Sequence, residues 1–190
     1  MYGMINNAVQ DLVLSKFGDE TWKTICAKAG IADPAFVTMV KYPDEVTYKL
    51  VGAASEVLKV PAEAILEQFG EYWTVYSAEK GFGHLLNFAG SNLVDFLNNL
   101  DHMHTRVKLT FPELEPPSFR CTDVTDGSLR LHYHSKRPGL TPLVIGMIKG
   151  LGKRFGQDVT IVLDRPRREG EHHDEFVVTF GKPDPAKRRA

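Results

Sequence analysis

Residues 116–137, PPSFRCTDVTDGSLRLHYHSKR, mark the point at which the chain changes its period. Before them apolar side chains return every three or four residues. Within them, SFRCTDV and LRLHYHSKR read as half-buried strands, with apolar and polar residues taking turns. Asp126-Gly127 between the two runs is a hairpin signal. Pro112, Pro116 and Pro117 cannot continue a helix, so a rigid extended connector is expected to lead into the sheet.

Toward the N-terminus the pattern is helical. Ile5, Val9, Leu12 and Val13 predict a helix over Gly3 to Lys16, and a second run opens at Asp19 and stops before Gly30. Asp44 can cap a helix through Val57. Pro61 opens AEAILEQFGEYWTVYSAEKG, expected to end at Gly81, and Asn92 with Asp95 starts a helix running to Thr110. Toward the C-terminus one more helix, Thr141 to Phe155, precedes two strands, VTIVLD and EFVVTF. Helices first, then mainly antiparallel strands with one helix among them, give an α+β fold. The expected organisation is an N-terminal helical lobe (1–62), a lobe carrying the sheet (63–180), and a disordered tail (181–190).

A chain of 190 residues supports one substantial unit, or two lobes sharing a core. Its net charge of −1 gives no general attraction to nucleic acid or an acidic membrane. No apolar run reaches membrane-spanning length, so a cytoplasmic protein is expected. The two cysteines, Cys26 and Cys121, are far apart and form no CxxC pattern, which reads as buried structural thiols.

Two groups of residues point to chemistry. On the helix from Asn92, the apolar stripe Leu93, Leu97, Leu100, Val107 and Phe111 has a gap that His104 fills, so this histidine faces inward. Taken alone, an inward histidine favours a core side chain satisfied by a carbonyl; the other reading is an axial ligand to haem iron. His102 lies about 200° around the same helix and belongs to the surface. In LRLHYHSKR, Leu129, Leu131, Tyr133, Ser135 and Arg137 share one strand face. A buried Tyr, Ser and Arg in a row need acceptors, and a pair of carboxylates such as haem propionates offers them; an ordinary strand end in solvent is the plain alternative.

The opposite face carries Arg130, His132, His134 and Lys136. His132 and His134 could share a zinc ion, but with no Cys or third histidine at ligand spacing the face reads as solvated and basic. EGEHHDE, with His172, His173 and Asp174, reads as a polar turn, its alternative a zinc site shared with His132 and His134. RPRREG, with Arg165, Arg167 and Arg168, reads equally as a solvated turn or a docking patch for an acidic partner.

His104 on its stripe, then Pro116-Pro117, then Tyr133-x-Ser135-x-Arg137 resemble the H-NOX (haem nitric oxide/oxygen binding) family in order and spacing. The similarity takes in MYGMINNAV, LVGAASEVL, NNLDHMH, PPSFRCTD and RPGL over residues 1–180, above all to cyanobacterial members and the soluble guanylate cyclase β-subunit haem domain. The resemblance implies a sensor domain with non-covalent haem b between the lobes. His104 is then the proximal ligand, Tyr133, Ser135 and Arg137 hold the propionates, and Pro117 distorts the porphyrin. Tyr2 lies near His104, and Ile5 lines the distal side.

Oxygen-holding members place a tyrosine where this chain has Leu143, which implies a pocket for nitric oxide and carbon monoxide that rejects oxygen. Trp73 matches another distal position, where its indole N–H could donate or the ring could simply pack. Leu143 and Met147 can serve both core and pocket. No phosphate loop, nucleophile elbow or catalytic carboxylate pair stands out, so the chain is expected to be no enzyme. Signalling by breakage of the iron–His104 bond would then reach an effector in trans, a histidine kinase or a cyclase. The rival readings are a zinc-binding protein and a haem carrier without gas signalling.

Overall fold

The computed structural model describes residues 1–32, 35–77, 80, 83–168 and 170–187. In order these form α1 (Gly3–Phe17), α2 (Asp19–Ala29), α3 (Asp44–Leu58), α4 (Ala62–Ser77), α5 (Gly83–Ala89) and α6 (Leu93–Thr110), then β1 (Ser118–Thr122) and β2 (Ser128–His134). α7 (Thr141–Phe155), β3 (Val159–Arg165), β4 (His173–Phe180) and a single 3-10 turn, Pro185–Lys187, follow. The fold is α+β, as the change of period requires. Two compact units divide it, Met1–Phe69 and Gly70–Ala190.

In the first unit the apolar faces of three helices meet: Ala8, Val9, Leu12 and Val13 of α1, Trp22, Ile25 and Cys26 of α2, and Leu50, Val51 and Ala54 of α3 are buried. Inside that packing the Thr47 hydroxyl donates to Asn6 Oδ1 at 2.7 Å. α2 stops because Gly30 takes a left-handed conformation, φ 69°, which an L side chain resists.

In the second unit four strands form an antiparallel sheet in the order β1-β2-β4-β3. One face carries Phe119, Leu129, Leu131, Tyr133, Ile161, Phe176 and Val178. It packs against Leu86 of α5, Leu93, Phe96, Leu97 and Leu100 of α6, and Val144, Ile148, Leu151 and Phe155 of α7. Strand alternation and helix periodicity thus converge on one core.

Several details depart from the pattern reading. α5 has seven residues, too few for periodicity to announce it. The helix expected to reach Gly81 is described to Ser77, and residues 78, 79, 81 and 82 lie outside the described residues. The first hairpin turns over residues 123–127 rather than at Asp126-Gly127 alone. Asp123 sits at φ 52°, and the Thr125 hydroxyl accepts the backbone N–H groups of Gly127 at 3.3 Å and Ser128 at 3.0 Å. β2 ends at His134 instead of Arg137, and β4 begins two residues before EFVVTF. In the expected tail, Lys187 reaches Asp158 at 2.6 Å, and residues 188–190 lie outside the described residues.

Candidate functional site

α6 is started by Asn92, whose side-chain oxygen accepts the Asp95 N–H at 3.0 Å. From that cap the helix phase carries Leu93, Leu97 and Leu100 into the core and brings His104 round on the same side one turn later. The sequence did not single out Asp101, which fixes what His104 meets. Its carboxylate accepts the Phe119 N–H at 2.9 Å and the Ser118 hydroxyl at 2.6 Å, fastening α6 to the first residues of β1 just past Pro116-Pro117. Phe119 consequently lies beside the His104 ring, centroids 6.2 Å apart, and on its other side against Tyr133 at 5.3 Å.

The His104 Nδ1 atom is buried and has no close hydrogen-bond partner among the described residues, the Pro117 carbonyl being the polar group beside the ring. Burial pushes the imidazole pKa down, against the Asp101 carboxylate and the Pro117 carbonyl, so the ring is neutral at pH 7. His102 is exposed, as its phase requires.

On β2, period two holds: Leu129, Leu131, Tyr133 and Ser135 are buried, His134 and Lys136 exposed. Burial pushes the Tyr133 phenol up, against hydrogen bonds from Ser135 and Arg167, so it stays protonated. Beyond β2 the chain bends, and the Arg137 N–H donates to the Ser135 hydroxyl at 3.1 Å. The Arg137 guanidinium donates to the Glu115 carbonyl at 2.7 Å.

Arg167 and Asp174 were read as turn residues; Asp174 is instead 1% exposed and forms a buried pair with Arg167. Asp174 accepts the Arg167 backbone N–H at 2.7 Å, its Nε at 2.8 Å and the Thr141 hydroxyl at 3.2 Å. Arg167 Nη1 also donates to the carbonyls of Ser135 at 3.0 Å and Arg137 at 3.2 Å, with the guanidinium 5.4 Å over the Tyr133 ring. The signal was present in the strand: Val178, Phe176 and Asp174 continue one inward face of β4, and an inward aspartate demands a cation. Burial pushes the Asp174 carboxyl up, but Arg167, with help from Thr141, holds it below the usual carboxylate range.

The remaining candidates lie elsewhere. On α7, Val144 and Ile148 face the sheet, while Leu143 and Met147 are half-buried where the Gly70–Ser77 part of α4 runs past. There the backbones nearly touch: a Cβ on Gly70 would sit 2.1 Å from the Leu143 carbonyl oxygen and 2.8 Å from the Met147 nitrogen. Trp73, also half-buried, stacks on Tyr76 at 5.8 Å. Tyr2 and Ile5 belong to the first unit, Tyr2 buried and bridged to Lys41, Ile5 half-buried on α1. Cys26 is buried and Cys121 half-buried, and burial pushes both thiols up, Cys121 to about 11.

A neutral inward imidazole with an unpartnered nitrogen, two buried hydroxyls and a neighbouring arginine fit a haem with its two carboxylates. The comparisons point the same way. The haem-NO-binding family matches residues 2–163. Soluble guanylate cyclase gcy-32 of Caenorhabditis elegans is 36% identical over 188 residues, covering 94% of this chain and 28% of that protein. Soluble guanylate cyclase gcy-34 of the same animal is 35% identical over 188 residues, covering 94% and 27%. The chain therefore spans little more than a quarter of the length of these relatives. Among solved structures, an H-NOX protein from S. oneidensis in the Fe(II) state superposes with a TM-score of 0.87, at 19% identity and covering 97% of this chain and 98% of that one. An IWP-051-bound H-NOX from Shewanella woodyi in the Fe(II)CO state gives 0.80 at 27% identity, covering 96% of each.

Proposed function

The chain belongs to the haem-NO-binding family, and we propose that it senses nitric oxide and carbon monoxide at a non-covalent haem b with His104 as proximal ligand. One observation carries the reading: His104, with its buried unpartnered nitrogen, continues through Phe119 to the buried Tyr133 and Ser135. When bound, ferrous haem supplies an open axial position for a diatomic gas. The neutral His104 ring offers a lone pair without first losing a proton. Tyr133, Ser135 and Arg137 would hold the haem propionates, and Pro117 would press on the porphyrin.

On the distal side this reading puts Leu143, Met147 and Trp73, and the family resemblance is what assigns haem-facing roles to Ile5 and Tyr2. Leu143 carries no donor, and with Trp73 taken as a packing side chain, its ring stacked on Tyr76, oxygen finds no hydrogen bond to hold it. Nitric oxide and carbon monoxide need none. The residues that would carry a displacement of His104 are on α6 and β1: Asp101, one turn before it, would pass a movement of α6 to β1 through its bonds with Ser118 and Phe119. The effector in this reading is a cyclase or histidine kinase acting in trans, and the relatives named as soluble guanylate cyclases support a cyclase as the output.

The test is the visible spectrum of the anaerobically reduced protein, exposed separately to air and to nitric oxide. A five-coordinate ferrous spectrum indifferent to oxygen and shifted by nitric oxide is expected, with haem lost in His104→Gly and regained on adding imidazole. A stable oxygen complex would overturn the exclusion of oxygen; a colourless protein that cannot be reconstituted would overturn the whole reading.

A further inference from the structure

The face of the sheet turned away from the haem candidates carries a second constellation. β2 and β4 pair in a register that sets His132 opposite Glu175 and His134 opposite His173. The alternative sequence reading joins His172, His173 and Asp174 to His132 and His134; cross-strand pairing brings His173 to His132 from about forty positions away, with Glu175 in place of Asp174 as the carboxylate. His132 Nδ1 faces His173 Nε2 at 3.0 Å and the Glu175 carboxylate at 4.0 Å, and the three ligand atoms all lie within 4.8 Å of one another. Tetrahedral ligands about 2.0–2.2 Å from one ion stand about 3.3 Å apart, so side-chain adjustment alone closes the set.

We propose that His132, His173 and Glu175 form a divalent transition-metal site, with zinc the ion it suits, that staples β2 to β4. The surroundings are those of a supported site. Thr122 Oγ1 lies 2.8 Å from His132 Nε2, and a proton held there leaves the Nδ1 lone pair directed at the ion. His134 stacks on His173 at 4.1 Å and 8°, fixing the ring plane of the second ligand. The His132 and Glu175 side chains are 17% and 13% exposed, shielded yet open to an entering ion and a water in the fourth position.

Charge selects the metal. Arg130 and Arg165 stand 3.1 and 3.7 Å from the Glu175 oxygens, which disfavours hard cations held by charge alone. Zinc, bound chiefly through two imidazoles, is less affected. His173 and Glu175 flank Asp174 on β4, and His132 and His134 flank Tyr133 on β2. A metal here therefore clamps the strand pair whose other face carries Tyr133 and Asp174.

Calorimetric titration of zinc into the full chain tests the site. One equivalent is expected, weakened by more than about 100-fold in His132→Ala and His173→Ala and by about 10-fold in Thr122→Val, while His102→Ala on exposed α6 binds as the parent does. Glu175→Gln keeps the side-chain shape, so its loss of affinity cannot be ascribed to unfolding. The thermal midpoint should rise with zinc in the parent and not in these ligand variants. No one-to-one binding, or binding that survives His132→Ala and Glu175→Gln alike in folded protein, would overturn the proposal.

Discussion

Arg167 and Asp174 show how a single pair can organise the residues around it. The guanidinium satisfies a carboxylate that is 1% exposed and at the same time draws in the carbonyls of Ser135 and Arg137. Removing one partner strands the other, so Asp174→Ala should cost about 3–5 kcal/mol in urea unfolding. The pH dependence follows from the carboxyl being held below its ordinary pKa of about 3.9. The pair's contribution is present above that value and is lost as pH falls through the lowered pKa of the folded state. Asp174→Asn should flatten the acid limb of stability below about pH 4 relative to the parent, and an unchanged limb would show that Asp174 is not its source.

Among the elements, α4 and α3 offer a contrast between two glycines. At Gly70 a methyl group would meet the backbone of Leu143 and Met147, neither of which can yield as a side-chain tip does. Gly70→Ala should therefore destabilise by about 1–3 kcal/mol through overpacking. Gly52, inside α3, has nothing within 4 Å of its would-be Cβ, and Gly52→Ala should stabilise by about 0.5–1 kcal/mol. Thermal melts of the two variants should move in opposite directions.

What the sequence made legible divides along similar lines. The inward phases of Tyr133 on β2 and His104 on α6 depend on period within one element, and period is written locally; Ser135 and Arg137 lie past the end of β2, where the chain bends. Asp101, Arg167 and the His132–His173–Glu175 cluster depend on which strand lies beside which. A cap such as Asn92 could be read because its partner Asp95 is three residues away; the partner of Tyr133 across the sheet is Asp174. α5 was missed because seven residues complete fewer than two full turns.

At the scale of the whole molecule, the proposed sensing predicts a change outside the unit that carries His104. Hydrogen exchange of α1–α3 should differ between the reduced protein and the same protein with nitric oxide. Unchanged exchange, with a clear spectral response to the gas, would leave haem binding standing and remove the signalling step.

The strand order has a kinetic meaning as well. β1 and β2 close on each other across residues 123–127, and β3 and β4 across 166–172, both short loops. The central pairing of β2 with β4 must instead close over the whole of α7 and β3, and chain closure grows harder as the loop lengthens. That seam is the one that sets Tyr133 opposite Asp174, so the face carrying the proposed propionate residues is expected to be completed only after both hairpins and α7 are in place.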